Sequence, residues 1–208
     1  TGLTANPTIF EKAISNSNDY DNQLMELALK NKSADEIYEE LVIQDIRAAA
    51  DLLLPVYNKT LAIDGYVSLE VSPRLAFDTS GTVEEARKFF NTLNRPNILI
   101  KVPATPQGIP AIQQLISEGI NVNVTLIFSL DIYKQVQEAY ISGLEMLSNS
   151  SDDLSRVASV ASFFVSRVDT AIDEALTEKI SQGDSSLTSL LGKAAVANAK
   201  IAYRSFQQ

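Results

Sequence analysis

Apolar residues along this chain follow two alternating patterns. Short β-rich runs occur at Leu3 to Asn6, Tyr66 to Val71, Ile98 to Val102, Asn121 to Phe128 and Ser159 to Val165. Longer amphipathic stretches separate them, and the spacing predicts helices over Tyr20 to Lys30, Ala34 to Thr60, Thr82 to Leu93, Gln107 to Glu118, Ser129 to Leu147, Arg167 to Gln182 and Leu187 to Gln207. In the second stretch Ile37, Leu41, Ile46, Ala49 and Leu53 share one helical face. Ser33 with Glu36, and Thr82 with Glu85, have capping-box spacing. Asn149 to Asp153 and Gln182 to Ser186 read as polar loops. Each strand is followed by a crossover helix, so the class is α/β with a parallel sheet, either barrel or open, in a single domain.

Side chains alternate faces along a strand, so each run splits into two sets. One face of Tyr66 to Val71 carries Tyr66, Ser68 and Glu70; the other carries Val67, Leu69 and Val71. Ile98 to Val102 sets Leu99 and Lys101 against Ile98, Ile100 and Val102. Asn123 and Thr125 oppose Val122, Val124 and Leu126; Thr4 and Asn6 oppose Leu3 and Ala5; Ser162 stands between Ala161 and Phe163. If the apolar faces pack under the helices, five strands aim polar groups at one enclosed place. These groups lie near the strands' C-terminal ends, just before Pro7, Ser72-Pro73, Pro103, Ser129 and Ser166, where barrel enzymes build their sites.

Composition narrows the chemistry. The 208 residues contain no Cys and no His, which excludes disulfides, thiol nucleophiles, His-based triads and the usual zinc sites. A net charge of -9 argues against nucleic acid as a partner, because phosphate-backbone binding needs clustered cations. No apolar run approaches the roughly 20 residues of a membrane span. A cytoplasmic protein is the expectation, and a catalyst built from this alphabet must rely on Lys, Asp, Glu, Tyr, Ser or Thr, on backbone dipoles or on carboxylate-bound magnesium, with a local cation wherever it meets a phosphate.

Lys101 is the candidate nucleophile. Singly, a lysine ending an apolar strand reads as a snorkelling edge residue, Glu70 as half of an ion pair, and Asn123 and Thr125 as hydrogen-bond fillers. Together on one face they form a constellation. Apolar neighbours Ile98, Leu99, Ile100 and Val102 would disfavour the charged amine and free it to attack a carbonyl. Glu70, directly or through a water on Thr125, could shuttle the proton that dehydrates the carbinolamine. Asn6 and Asn123 could bind hydroxyls, and Arg167 could pair with a phosphate.

The runs Gly2-Leu-Thr-Ala-Asn-Pro-Thr-Ile-Phe10, Val67-Ser-Leu-Glu-Val71, Ile98-Leu-Ile-Lys-Val-Pro-Ala104, Asn121-Val-Asn-Val-Thr-Leu-Ile-Phe-Ser129 and Ser162-Phe-Phe-Val-Ser-Arg-Val-Asp169 resemble those of transaldolases over essentially the whole chain. The long helical stretch Tyr20 to Thr60 is similar to that of the bacterial and cyanobacterial branch. The resemblance implies a TIM (β/α)8 barrel. It implies a Schiff base on Lys101, acid/base work by Glu70 with Thr125 holding its water, and substrate binding by Thr4, Asn6, Asn123, Ser162 and Arg167. The reaction implied passes a dihydroxyacetone unit between phosphorylated ketoses and aldoses in the pentose phosphate pathway. No metal or organic cofactor is implied.

Family members have eight strands, whereas this chain matches about the second to the sixth with their helices. The expectation is an excerpt. An acid/base aspartate from the family's first strand has no counterpart here, and neither do the seventh and eighth strands. Bare outer strands would invite association, including a homo-oligomer. Two other readings compete: a related lysine aldolase of the fructose 6-phosphate type, which cleaves without transfer, and a non-catalytic fragment that binds sugar phosphates.

Overall fold

All five apolar runs form strands in a computed structural model describing residues 2–150 and 153–208. They are β1 (Leu3–Thr4), β2 (Val67–Glu70), β3 (Ile98–Pro103), β4 (Val122–Ile127) and β5 (Ser159–Phe163). Every pair is parallel and the spatial order is β1-β2-β3-β4-β5, so the sheet winds in one direction with no reversal. Helices α1 (Pro7–Ser15), α2 (Asp21–Ala28), α3 (Ala34–Lys59), α4 (Thr79–Leu93), α5 (Gly108–Ser117), α6 (Leu130–Ser148), α7 (Ser166–Ser181) and α8 (Ala194–Phe206) alternate with the strands. The result is a curled half-barrel of the TIM type.

The core lies between the outer face of the sheet and the helices. Val67, Ile98, Ile100, Val102 and Val122 are fully buried there against Ala86, Leu93, Ala111, Ile112, Leu115 and Ile116. Burying each such aliphatic side chain stabilises the fold by about 1.5–3 kcal/mol. Cover thins toward β5 and α7: Ala161 is exposed, and α7 has no buried residue among those described. Among the described residues, no helix is long and apolar enough to cross a membrane.

Helix starts follow local chemistry, with four departures from the sequence reading. Ser33 and Glu36 form the expected capping box at α3. Helix α4 instead begins at Thr79, capped by Asp78, whose side chain accepts from Gly81 N at 3.0 Å. Thr82 and Glu85 serve elsewhere: the Thr82 hydroxyl donates to Leu75 O, and Glu85 Oε2 accepts from Ser72 N. Helix α1 was not expected at all, and it ends the first strand two residues early. The predicted Leu187 to Gln207 helix divides into a 3-10 turn, Ser185–Leu190, and α8, because Gly192 takes a left-handed φ of 67° between them. The Asn149 to Asp153 loop lies partly outside the described residues.

The fourth departure concerns Leu126, expected on the apolar face with Val122 and Val124. Its φ is 60°, and the pairing of β4 with β5 shifts register between Val124 and Ile127. The irregularity turns Ile127 into the helix-facing core, fully buried, while Leu126 is only half-buried.

Candidate active site

Register brings the polar positions together. Glu70 on β2 pairs with Lys101 on β3, which pairs with Asn123 on β4; Thr4 pairs with Ser68, and Asn123 with Val160. Register partners in a parallel sheet point to the same side, so Thr4, Ser68, Glu70, Lys101, Asn123, Thr125 and Ser162 share the inner, concave face.

At its centre Lys101 Nζ donates to Glu70 Oε2 at 3.0 Å and to Ala5 O at 3.4 Å. Both side chains are largely enclosed, 10% exposed for Lys101 and 20% for Glu70. This corrects the surroundings expected from sequence neighbours. Of the four apolar neighbours, Ile98, Ile100 and Val102 are buried on the opposite face and Leu99 alone shares the inner face with Lys101, where the amine's hydrogen-bond partners are a carboxylate and a carbonyl. A partner charge offsets the cost of burying the ammonium. It also places an acceptor where the amine must release a proton before attacking.

A second set of hydrogen bonds runs beside the pair. Asn123 Nδ2 donates to Ser68 Oγ at 3.1 Å, and Ser162 Oγ donates to Asn123 Oδ1 at 2.9 Å. Ser68, Asn123 and Thr125 are buried, at 4%, 6% and 4% exposure. Two of the four partners named here, Ser68 and the Ala5 carbonyl, were not among the sequence candidates. Alternation had already put Ser68 on the correct face; nothing in a sequence marks a backbone carbonyl as a lysine acceptor.

Asn6 has a different position from the one expected. It caps α1, its Oδ1 accepting from Ile9 N at 2.9 Å, instead of ending a strand. The signal was present, since Asn followed by Pro is the N-cap and first-turn pattern of a helix. Thr4 reaches the inner face but stays exposed and joins none of these hydrogen bonds among the described residues. Arg167, at the start of α7, is exposed on the C-terminal rim, its guanidinium carbon 5.2 Å from the centre of the Phe164 ring.

A cleft of about 390 Å³ approaches Glu70 from the helix side, between Pro7, Tyr38, Leu69, Arg74, Glu85 and Phe89. Burial, and secondarily the Glu70 charge, hold the Tyr38 phenol above its usual range. Lys101 does not line this cleft, so the concave inner face, not the cleft, presents the amine. Among the described residues no group of three or more acidic, His or Cys side chains is placed to hold a metal.

Comparison with known proteins agrees with this geometry. The chain is 51% identical to a transaldolase of Saccharopolyspora erythraea over 207 residues, 100% of this chain and 55% of that protein. It is 46% identical to a transaldolase of Trichodesmium erythraeum over 212 residues, 100% of this chain and 56% of that protein, and 50% identical to one of Thermobifida fusca over 207 residues, 100% and 55%. The chain therefore spans little more than half the length of these curated relatives. The model of the transaldolase/fructose-6-phosphate aldolase family matches residues 1–208, and the chain belongs to that family.

Proposed function

We propose that the protein carrying this chain is a transaldolase. It moves a dihydroxyacetone unit from sedoheptulose 7-phosphate to glyceraldehyde 3-phosphate, giving erythrose 4-phosphate and fructose 6-phosphate, by way of a Schiff base on Lys101. The observation that carries this reading is the Lys101 Nζ to Glu70 Oε2 contact at 3.0 Å on the concave face that also carries Ser68, Asn123 and Ser162. The setting is the pentose phosphate pathway in the cytoplasm. Residues 1–208 form one partial-barrel domain. The net charge of -9 speaks against nucleic acid as a partner and leaves self-association open.

Protons balance within the pair. Glu70 takes one proton from the Lys101 ammonium, and the free amine adds to the ketone carbonyl. The same proton returns, from Glu70 or through a water on Thr125, to the hydroxyl that leaves as water. An iminium results, with Glu70 again a carboxylate. Asn123 and Asn6 bind substrate hydroxyls, Ser162 holds Asn123 and adds a hydroxyl of its own, Thr4 lines the rim, and Arg167 receives the phosphate. Proton removal at the hydroxyl beside the breaking carbon-carbon bond falls to the aspartate expected outside this chain.

Borohydride reduction of the intact protein with fructose 6-phosphate tests the reading by peptide mapping. A dihydroxyacetone-derived adduct on Lys101 is expected. An unmodified Lys101 peptide in folded protein defeats it. The family description also covers fructose 6-phosphate aldolase, so release of glyceraldehyde 3-phosphate beyond one equivalent per Lys101 only when erythrose 4-phosphate is added separates transfer from cleavage.

A further inference from the structure

The rim above β5 contains an aromatic arrangement that the proposed reaction leaves unexplained. Arg167 carries a full charge in an exposed position, and among the described residues no carboxylate pairs with it. Among those residues its ring partner is Phe164, with the ring centroid 5.2 Å from the guanidinium carbon. Phe164 packs in turn against Phe128 in a tilted arrangement, with centroids 5.1 Å apart and planes inclined by 41°.

Both rings are held by their backbones. Phe164 N donates to Ile127 O at 2.8 Å, tying the loop after β5 to the end of β4. Phe128 O accepts from Asn198 Nδ2 at 3.1 Å, which anchors it to α8. The left-handed Leu126 makes this possible, because Ile127 turns into the core and Phe128 follows it to the rim beside Phe164.

An aromatic face suits an arginine that must bind an anion. A carboxylate partner would occupy the in-plane N–H donors and cancel the charge. A ring takes only the flat face of the guanidinium and leaves those donors directed outward. It also narrows the range of positions open to a long, flexible side chain, so less freedom is lost when a phosphate arrives.

We propose that Phe164, backed by Phe128, is a positioning residue that presents the Arg167 guanidinium to the phosphate of the sugar substrate. The proposal rests on the reading of Arg167 as the phosphate-binding cation. It assigns Phe164 no contact with the reacting atoms.

The test uses the intact protein and needs no turnover. Dissociation constants for fructose 6-phosphate and for fructose are measured by calorimetry in the wild type, Phe164→Leu, Arg167→Gln and the double variant. Phe164→Leu is expected to weaken fructose 6-phosphate by about 2- to 5-fold, the size of an exposed cation–π contact, and to leave fructose unchanged. The effect should vanish in the Arg167→Gln background, and Phe164→Tyr, which keeps the ring, should bind as the wild type does. Equal weakening of both sugars, or the same loss with Arg167→Gln already present, overturns the proposal, since either marks a general packing defect. If Arg167→Gln removes the preference for the phosphorylated sugar and Phe164→Leu does not change it, the positioning role alone is wrong. If Arg167→Gln leaves the preference intact, the reading of Arg167 fails and the positioning role falls with it.

Discussion

Asn123 on β4 donates its amide N–H to Ser68 on β2 at 3.1 Å, reaching over the intervening strand β3. The Ser162 hydroxyl fixes the other end of the same amide, so Asn123 ties three strands together beside the Lys101–Glu70 pair. Its orientation is thus set before any substrate arrives.

Ser68→Ala removes the acceptor for a buried donor. The expected loss is about 1–3 kcal/mol of stability in urea unfolding, the cost of an unsatisfied buried polar group. KM for the ketose donor should rise as Asn123 loses its fixed orientation. A variant with unchanged stability and KM would mean that the amide finds another acceptor.

Glu70→Gln keeps the shape of the side chain and removes its capacity to carry the proton. kcat should fall by about 10²–10⁴, the usual contribution of a general acid/base. Borohydride trapping on Lys101 should slow in step. Full activity in steady-state assays would shift the proton work to another group.

Asn6→Ser separates the two roles open to Asn6. Serine caps a helix about as well as asparagine, so thermal stability should hold within about 0.5 kcal/mol. A rise in KM at constant stability would assign the amide to substrate. Unchanged kinetics would leave Asn6 as the cap of α1 alone.

Gly108→Ala tests how tightly α5 fixes the end of β3. A Cβ at residue 108 would lie 2.0 Å from the Pro103 carbonyl oxygen, a backbone atom two residues beyond Lys101. Either α5 or the strand end must move. The expected cost is about 1–3 kcal/mol or more, with reduced activity from displacement of Lys101. Wild-type stability in a denaturant titration would show that the junction yields freely.

Stability should decline on the alkaline side. The Tyr20 hydroxyl donates to Asp45 Oδ2 at 2.6 Å, and this bond, ahead of burial, raises the phenol from 10.0 to about 12. A group whose folded value lies above its unfolded value stabilises fully below the unfolded one, and the contribution disappears as pH climbs through the folded one. The advantage of wild type over Tyr20→Phe in urea midpoint should therefore be constant below pH 10 and shrink toward pH 12. A difference independent of pH would detach the bond from this titration.

Much of the site was legible before any coordinates, because alternation along a strand is a local rule. Once Val67, Leu69, Ile98, Ile100, Val122 and Val124 are assigned to the core, Ser68, Glu70, Lys101, Asn123 and Thr125 must face the other way. The turn residues after each run placed these groups at the strands' C-terminal ends. Those steps need only the pleat and the hydrophobic effect.

Relations between distant segments were decided by the tertiary structure. That Glu70 stands opposite Lys101 depends on how β2 slides against β3, which the packing of α3, α4 and α5 fixes through hydrogen bonds between strands. Leu126 broke the alternation because β4 meets β5 with one residue to accommodate, and only pairing shows that. Asn6 was drawn out of the strand by a helix starting at Pro7, where local capping prevailed over the apolar pattern. Phe164 beneath Arg167 had no signature at all, since the contact arises from where β5 ends and α7 begins. The sequence by itself determined which residues could meet on the inner face; register, bulge and cap decided which of them do.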